Sequence, residues 1–306
     1  MISRKNRQVI VIIIIISKRG EEIMPKSVLV SGASSGIGKA LCLELDHQGY
    51  QVFAGIRKTP DGEAIRSQAS ERLVPVLLDV TQPETIASAR QAVTEKTDGQ
   101  LFGLVNNAGI DVSGALEFLP IQEFRNQMEV NLIGQLALTQ ACLPMLRKGN
   151  GRIIFISSVA GRLVTPFNGP YAASKAALVA MADALRLELS AWNIIVSVLI
   201  VGSVQTPIWE KSARQAGEIL RCEPSLAWEL YGKLQKRAGK FYQQTGRNGM
   251  SVEKLVAIIQ DVLEARRPKE YILAGYDALM IELIAKLLPV HWRDWLVKRQ
   301  MGLPTL

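Results

Sequence analysis

The chain has 306 residues, 48% hydrophobic and 21% charged, a balance that excludes a disordered polymer and supports one large α/β domain or two small ones. Cys42, Cys142 and Cys222 lie far apart with no C-x-x-C, and His47 and His291 are the only histidines, which leaves no visible disulfide framework or zinc site and fits a reduced, cytoplasmic compartment. Much of the formal charge of +8 sits at the ends, in Arg4, Lys5, Arg7, Lys18 and Arg19 and in Arg293, Lys298 and Arg299, with no nucleic-acid motif between them. Residues 1–23 read as an extension dispensable for the fold, carrying an apolar run at 9–16 that is too short to span a bilayer. It lacks a small-residue cleavage site, and Met24 is an alternative start.

From Ser27 onward strand and helix patterns alternate. Val28-Leu29-Val30 reads as a buried strand, and Ser31 to Gly38 turns into a helix from Lys39. Strands are expected at 51–55, 73–79, 101–106, 152–157 and 194–200, with helical patterns between them. Strands joined by helical crossovers predict a doubly wound parallel sheet with helices on both faces, its ligand crevice at the carboxyl ends of the strands. An irregular helical excursion at about 207–247 is expected to form a lid. The pattern then resumes with a helix at 251–266 and a seventh strand at 270–274, closing one domain at 24–275. Two amphipathic segments, 278–288 and 291–301, are separated by Pro289 and make a C-terminal region of 276–306.

Three features carry chemistry. The loop Gly32-x-x-x-Gly36-x-Gly38 follows a strand and opens a helix, where glycines let a pyrophosphate approach the backbone at the positive helix end. After the second strand, Ile56-Arg57-Lys58 offers positive charge where an NAD-preferring site places an acid, so the inferred cofactor is NADP(H). Tyr171 and Lys175 stand four residues apart on one predicted helical face, and an ammonium beside a phenol favours its ionised form, as a general acid/base requires.

Taken together, these features resemble the classical short-chain dehydrogenase/reductase family over about residues 24–274. Its glycine motif matches Gly32, Ser34, Ser35, Gly36, Ile37 and Gly38; its acid-hydrophobic step matches Asp79-Val80, and its N-N-A-G stretch matches Asn106, Asn107, Ala108 and Gly109. The helix asparagine matches Asn131, and the catalytic serine matches Ser158, thirteen residues before Tyr171. Val201-Gly202 replaces the family's usual Pro-Gly, while Gly202, Val204 and Thr206 still fit the loop that holds the nicotinamide carboxamide. The resemblance implies a Rossmann-type fold in which Tyr171 delivers the proton, Ser158 holds the same oxygen, Lys175 holds the nicotinamide ribose, and Asn131 holds a water for proton resupply.

The motifs look like those of the branch with retinol and 17β-hydroxysteroid dehydrogenases. Leu163, Val164, Phe167, Ile208 and Trp209 around the expected pocket suggest a lipophilic alcohol or ketone, whether steroid, retinoid or lipid. The C-terminal segments, with Trp292 and Trp295 among basic residues, suggest peripheral membrane contact; packing over the lid or in a homodimer is the alternative. A homodimer or homotetramer is expected, with no metal and no nucleic acid. The competing functional reading is a non-catalytic dinucleotide sensor or scaffold on the same fold.

Overall fold

A computed structural model describes residues 25–222 and 225–304; the expectations for the extension at 1–23 lie outside them. Seven strands form one sheet: β1 (Ser27–Val30), β2 (Gln51–Ile56), β3 (Leu73–Leu77), β4 (Gly103–Asn106), β5 (Arg152–Ser158), β6 (Ile195–Val201) and β7 (Tyr271–Ala274). Their order is β3-β2-β1-β4-β5-β6-β7, and every pairing is parallel. The expected single-domain Rossmann-type sheet is therefore present.

Alternation of side chains along each strand divides the core between the two faces. Leu29, Phe53, Leu104 and Phe155 pack on one face with Leu138, Leu146 and Leu178. Val28, Val30, Val52 and Ile154 pack on the other with Leu41, Leu255 and Ile259. Helices α1 (Gly36–His47), α2 (Thr59–Arg66), α3 (Pro83–Thr97), α4 (Ile121–Met128), α5 (Gly134–Lys148), α6 (Gly169–Glu188) and α9 (Val252–Glu264) supply the cover. Fully burying each large apolar side chain contributes about 1.5–3 kcal/mol, which explains the continuous Val/Ile/Leu runs of the strands.

Two strand ends differ from their expected bounds by two residues, because the local backbone bonds leave the ladder; the others differ by at most one. The third ends at Leu77, where Asp79 turns the chain by accepting from the Thr81 N–H (3.0 Å) and hydroxyl (2.8 Å). The fourth begins at Gly103, since the Leu101 N–H is bonded to the Met145 carbonyl at 3.0 Å.

The chain leaves β1 for β2 and β3 on one side, then crosses to β4 on the other. That reversal sets the loops after β1 and β4 beside each other, with the Ser31 N–H bonded to the Val105 carbonyl at 3.0 Å. Helices α7 (Ile208–Cys222) and α8 (Ser225–Arg247) occupy the excursion after β6. Beyond β7, α10 (Tyr276–Leu287) and α11 (Val290–Met301) complete the chain. Val297 and Met301 of α11 pack on Ala238 of α8 beside Phe167 and Phe241, so the tail folds back over the lid. Trp292 and Trp295 remain 52% and 38% exposed on its outer side.

Candidate active site

The glycine loop is shaped by contacts that only hydrogen side chains permit. Gly32 and Gly36 have φ of +69° and +55°, and a Cβ on Gly38 would meet the Gly32 carbonyl oxygen at 2.3 Å. The Asn107 amide donates to the Ser31 and Gly32 carbonyls (2.9 and 3.2 Å), while the Ser31 hydroxyl accepts from the Asn107 and Ala108 N–H groups, each at 3.0 Å. No side chain caps the start of α1. Its first-turn N–H groups, the glycine cradle and the exposed Arg57 guanidinium, which has no polar partner among the described residues, are the donor set a dinucleotide phosphate requires. The residues thus fit a nicotinamide dinucleotide.

The remaining predicted contact residues lie at or just beyond the carboxyl ends of β1, β3 and β4. Ser34 and Ser35 are partly buried in the loop, and Ile37, partly buried in the first turn of α1, also lines the cavity described below. Val80 is buried against the start of α5. Asn106 donates to the Thr139 hydroxyl at 3.0 Å. Ala108 and Gly109 form the turn beside Asn131. The sequence assigns no roles to Asn107, Ser31, Gln127, Asp111 and Asp277: the partners that fix Asn107, Ser31, Gln127 and Asp277 lie 15 to 77 residues away, and Asp111 faces Ser212 of α7, so no local spacing signals them.

The loop after β6 is pinned despite lacking proline. Asp277 of α10 accepts from the Ser203 N–H at 2.6 Å, and the Met250 N–H bonds to the Ser203 carbonyl at 2.8 Å. The Gly202 N–H bonds to the Ala274 carbonyl at 3.0 Å, and Val204 makes a parallel bridge with Met250. Thr206 lies next to Gly36, bringing this loop to the glycine cradle.

Pro170 in the first turn of α6 supplies the fixed φ with which helices start, and the next residue, Tyr171, shares a face with Lys175 one turn further on. The Lys175 ammonium is 5.5 Å from the centre of the Tyr171 ring and donates to the Ile156 carbonyl at 2.8 Å. The Ser158 hydroxyl, which accepts from the Ala160 N–H at 3.2 Å, lies beside the phenol on the same cavity wall. Ser157 instead bonds the Lys175 carbonyl at 3.1 Å, tying β5 to α6. Asn131 lies in a π-helical turn, Glu129–Ile133, fully buried. Its amide accepts from the Ile110 N–H (2.9 Å) and donates to the Ile110 carbonyl (2.9 Å) and the Ser174 hydroxyl (3.1 Å). The geometry places Tyr171, Ser158, Lys175 and Asn131 in one connected cluster.

Electrostatically this cluster departs from what helical spacing suggests. Burial pushes the Tyr171 phenol well above the usual range, reinforced by the negative charge of Asp111 and opposed by Ser158. Burial also lowers Lys175 to about 8, against the pull of Asp111. Desolvation outweighs the cation's effect on its neighbour, so the phenol is held protonated, the form that donates.

Ser158 and Tyr171 open onto a cavity of about 1080 Å³ whose lining is mostly apolar, including Leu163, Phe167, Ile208, Trp209 and Phe241. Val164 is 59% exposed and does not line it. The lid is fastened by the Trp209 N–H donating to the Val204 carbonyl (2.8 Å) and the Tyr242 hydroxyl donating to the Pro166 carbonyl (2.8 Å). A donor-rich phosphate cradle, a phenol with a hydroxyl partner and an apolar chamber together suit hydride and proton transfer at a carbonyl or carbinol carbon. Among the described residues no group of histidine, cysteine and carboxylate side chains is arranged to hold a metal.

The family model for short chain dehydrogenases matches residues 26–217. The 17-beta-hydroxysteroid dehydrogenase type 6 of Bos taurus is 34% identical over 287 residues, covering 91% of this chain and 90% of its own. Retinol dehydrogenase 16 of Mus musculus is 34% identical over 289 residues, covering 89% of this chain and 87% of its own. A solved short chain dehydrogenase/reductase from Burkholderia phymatum, in complex with NAD, shares the fold with a TM-score of 0.72 at 24% identity, over 86% of this chain and 93% of that one.

Proposed function

Since the chain belongs to the short-chain dehydrogenase family, in the branch of retinol and 17β-hydroxysteroid dehydrogenases, and is an oxidoreductase, we propose that it interconverts a lipophilic ketone or aldehyde and its alcohol with NADP(H). The observation that carries the reading is the opening of the Tyr171–Ser158 pair onto the apolar cavity. The bound dinucleotide supplies the hydride. Gly32, Ser34, Ser35, Gly36 and Gly38 would hold its pyrophosphate at the α1 N-terminus, Asp79 and Val80 would hold the adenine, and Gly202, Val204 and Thr206 would hold the carboxamide.

In reduction, the protonated Tyr171 phenol donates to the substrate oxygen as negative charge develops there. The Ser158 hydroxyl donates to the same oxygen and fixes the approach of the reacting carbon. Lys175 keeps positive charge beside the ring, stabilising the phenolate left behind, and holds the nicotinamide ribose. Asn131, joined to the α6 turn through Ser174, supports the route by which the proton is replaced.

Arg57 supports the choice of NADP(H): an exposed guanidinium at the end of β2, with no polar partner among the described residues, matches a 2′-phosphate. Arg57→Leu is expected to weaken NADPH binding roughly 10- to 100-fold, the worth of a charge-assisted contact, and to change NADH binding by less than about threefold. Fluorescence titration with both nucleotides decides this, and equal losses for the two would defeat the assignment.

The same reading includes peripheral membrane contact through the outer side of α11, where Trp292 and Trp295 stand among Arg293, Lys298 and Arg299. Among the described residues no helix is long and apolar enough to cross a membrane. The protein is expected to cosediment with anionic phosphatidylserine vesicles at low salt. Quantitative recovery in the soluble fraction without detergent counts against the contact. A homodimer or homotetramer, read by sedimentation velocity, belongs to the same proposal.

A further inference from the structure

Within the apolar cavity, Asp111 is a carboxyl group that the proton-transfer scheme above does not use. Its place is fixed from both sides. The Ile110 N–H and carbonyl are bonded by Asn131, the same carbonyl accepts from the Gln127 amide at 2.7 Å, and the Val112 N–H donates to Gln127 Oε1 at 2.6 Å. Two buried amides thus clamp the backbone on either side of residue 111. Its side chain accepts from the Ser113 hydroxyl at 3.3 Å, and Ser212, a buried residue on the lid helix α7, lines the same cavity nearby.

The Ser113 hydroxyl, even with that of Ser212 nearby, leaves part of a carboxylate's capacity of about four acceptor sites unused. Among the described residues, none of the salt bridges involves Asp111. An unpaired carboxyl in an apolar chamber is costly, and burial raises its proton affinity despite Ser212, Ser113 and the Lys175 charge. The negative charge of Asp111 pushes the Tyr171 phenol further up, so the carboxyl does not help the tyrosine ionise. A group that is costly to bury, rigidly aimed and adjacent to the reacting residues is accounted for by a ligand group that meets it.

We propose that Asp111 determines substrate specificity: its carboxyl accepts a hydrogen bond from an O–H or N–H group that the substrate carries near its reacting carbonyl or carbinol carbon. This rests on Tyr171 marking the reacting centre, as proposed above. The substrate is then lipophilic over most of its surface and polar at two neighbouring points, the oxygen held by Tyr171 and Ser158 and the donor held by Asp111. A cationic donor would also offset the carboxylate charge beside Tyr171, coupling recognition to the proton step.

Three matched ketones test this with NADPH: 1,2-diphenylethanone, its 2-hydroxy derivative and its 2-dimethylamino derivative, the last protonated at neutral pH. At least one polar ketone is expected to exceed the unsubstituted one by roughly 10-fold or more in kcat/KM, since a buried acceptor left unpaired costs about 1–3 kcal/mol. Asp111→Ala should bring that ratio to within about threefold of one. Asp111→Asn separates the sources, keeping the preference for a hydroxyl, which an amide oxygen still accepts, and losing that for an ammonium. Calorimetric binding of the same ketones to the NADPH complex of the Tyr171→Phe variant reads the preference without turnover, so failure of the reductase reading is distinguished from failure of this one. If the alanine variant does not fold, the native ratio and the asparagine variant suffice. Equal treatment of all three ketones in binding and turnover, or a native ratio retained by Asp111→Ala, overturns the proposal.

Discussion

Tyr171→Phe is expected to lower kcat for carbonyl reduction by about 10³-fold, within the roughly 10²- to 10⁴-fold contribution of a positioned proton donor. The ring would keep its place on α6 above Lys175, 5.5 Å away, and only the hydroxyl would go. NADPH affinity should stay within about threefold of native, because the phosphate donors lie on the glycine loop, the α1 N-terminus and Arg57 rather than on the phenol. Loss of turnover with retained binding identifies a transition-state role. Parallel loss of both would make Tyr171 a structural prop, and unchanged kcat would remove it from the mechanism.

Gly38→Ala attacks the other half of the site. The added methyl would lie 2.3 Å from the Gly32 carbonyl oxygen and 2.6 Å from the Asn107 amide nitrogen, so the glycine loop or the β4 loop must move. Overpacking of this kind costs about 1–3 kcal/mol. If the strain falls on the nucleotide cradle, NADPH binding weakens roughly 10- to 100-fold at an energy of about 1.36 kcal/mol per tenfold. The expected result is that weakening together with a lowered Tm. Native affinity for NADPH would show that the phosphates do not approach the backbone at this turn.

Where chemistry demands particular residue types at short range, the sequence announced the arrangement. The glycine loop, the Tyr171/Lys175 pair and the strand-helix alternation all repeat within one or two turns, and each occupies the expected element. What escaped were pairings set by topology alone. Asp277 and Ser203 are 74 residues apart, and Asp111 meets Ser212 from across the lid; no local spacing links either pair. Helical spacing also brought the Lys175 cation near Tyr171 but carried no information on burial, the larger influence on the phenol. Amphipathic composition likewise did not say which partner the tail helices choose, and the structure packs α11 against α8.

The scaffold reading and the enzyme reading separate most directly by following hydride. The native protein should be incubated with NADPH deuterated at nicotinamide C4 and a panel of steroid, retinoid and aliphatic ketones or aldehydes, and the alcohols analysed by mass spectrometry. The account predicts alcohol carrying one deuterium on the former carbonyl carbon, lost on Tyr171→Phe substitution. NADPH binding without deuterium in any product across the panel would contradict it.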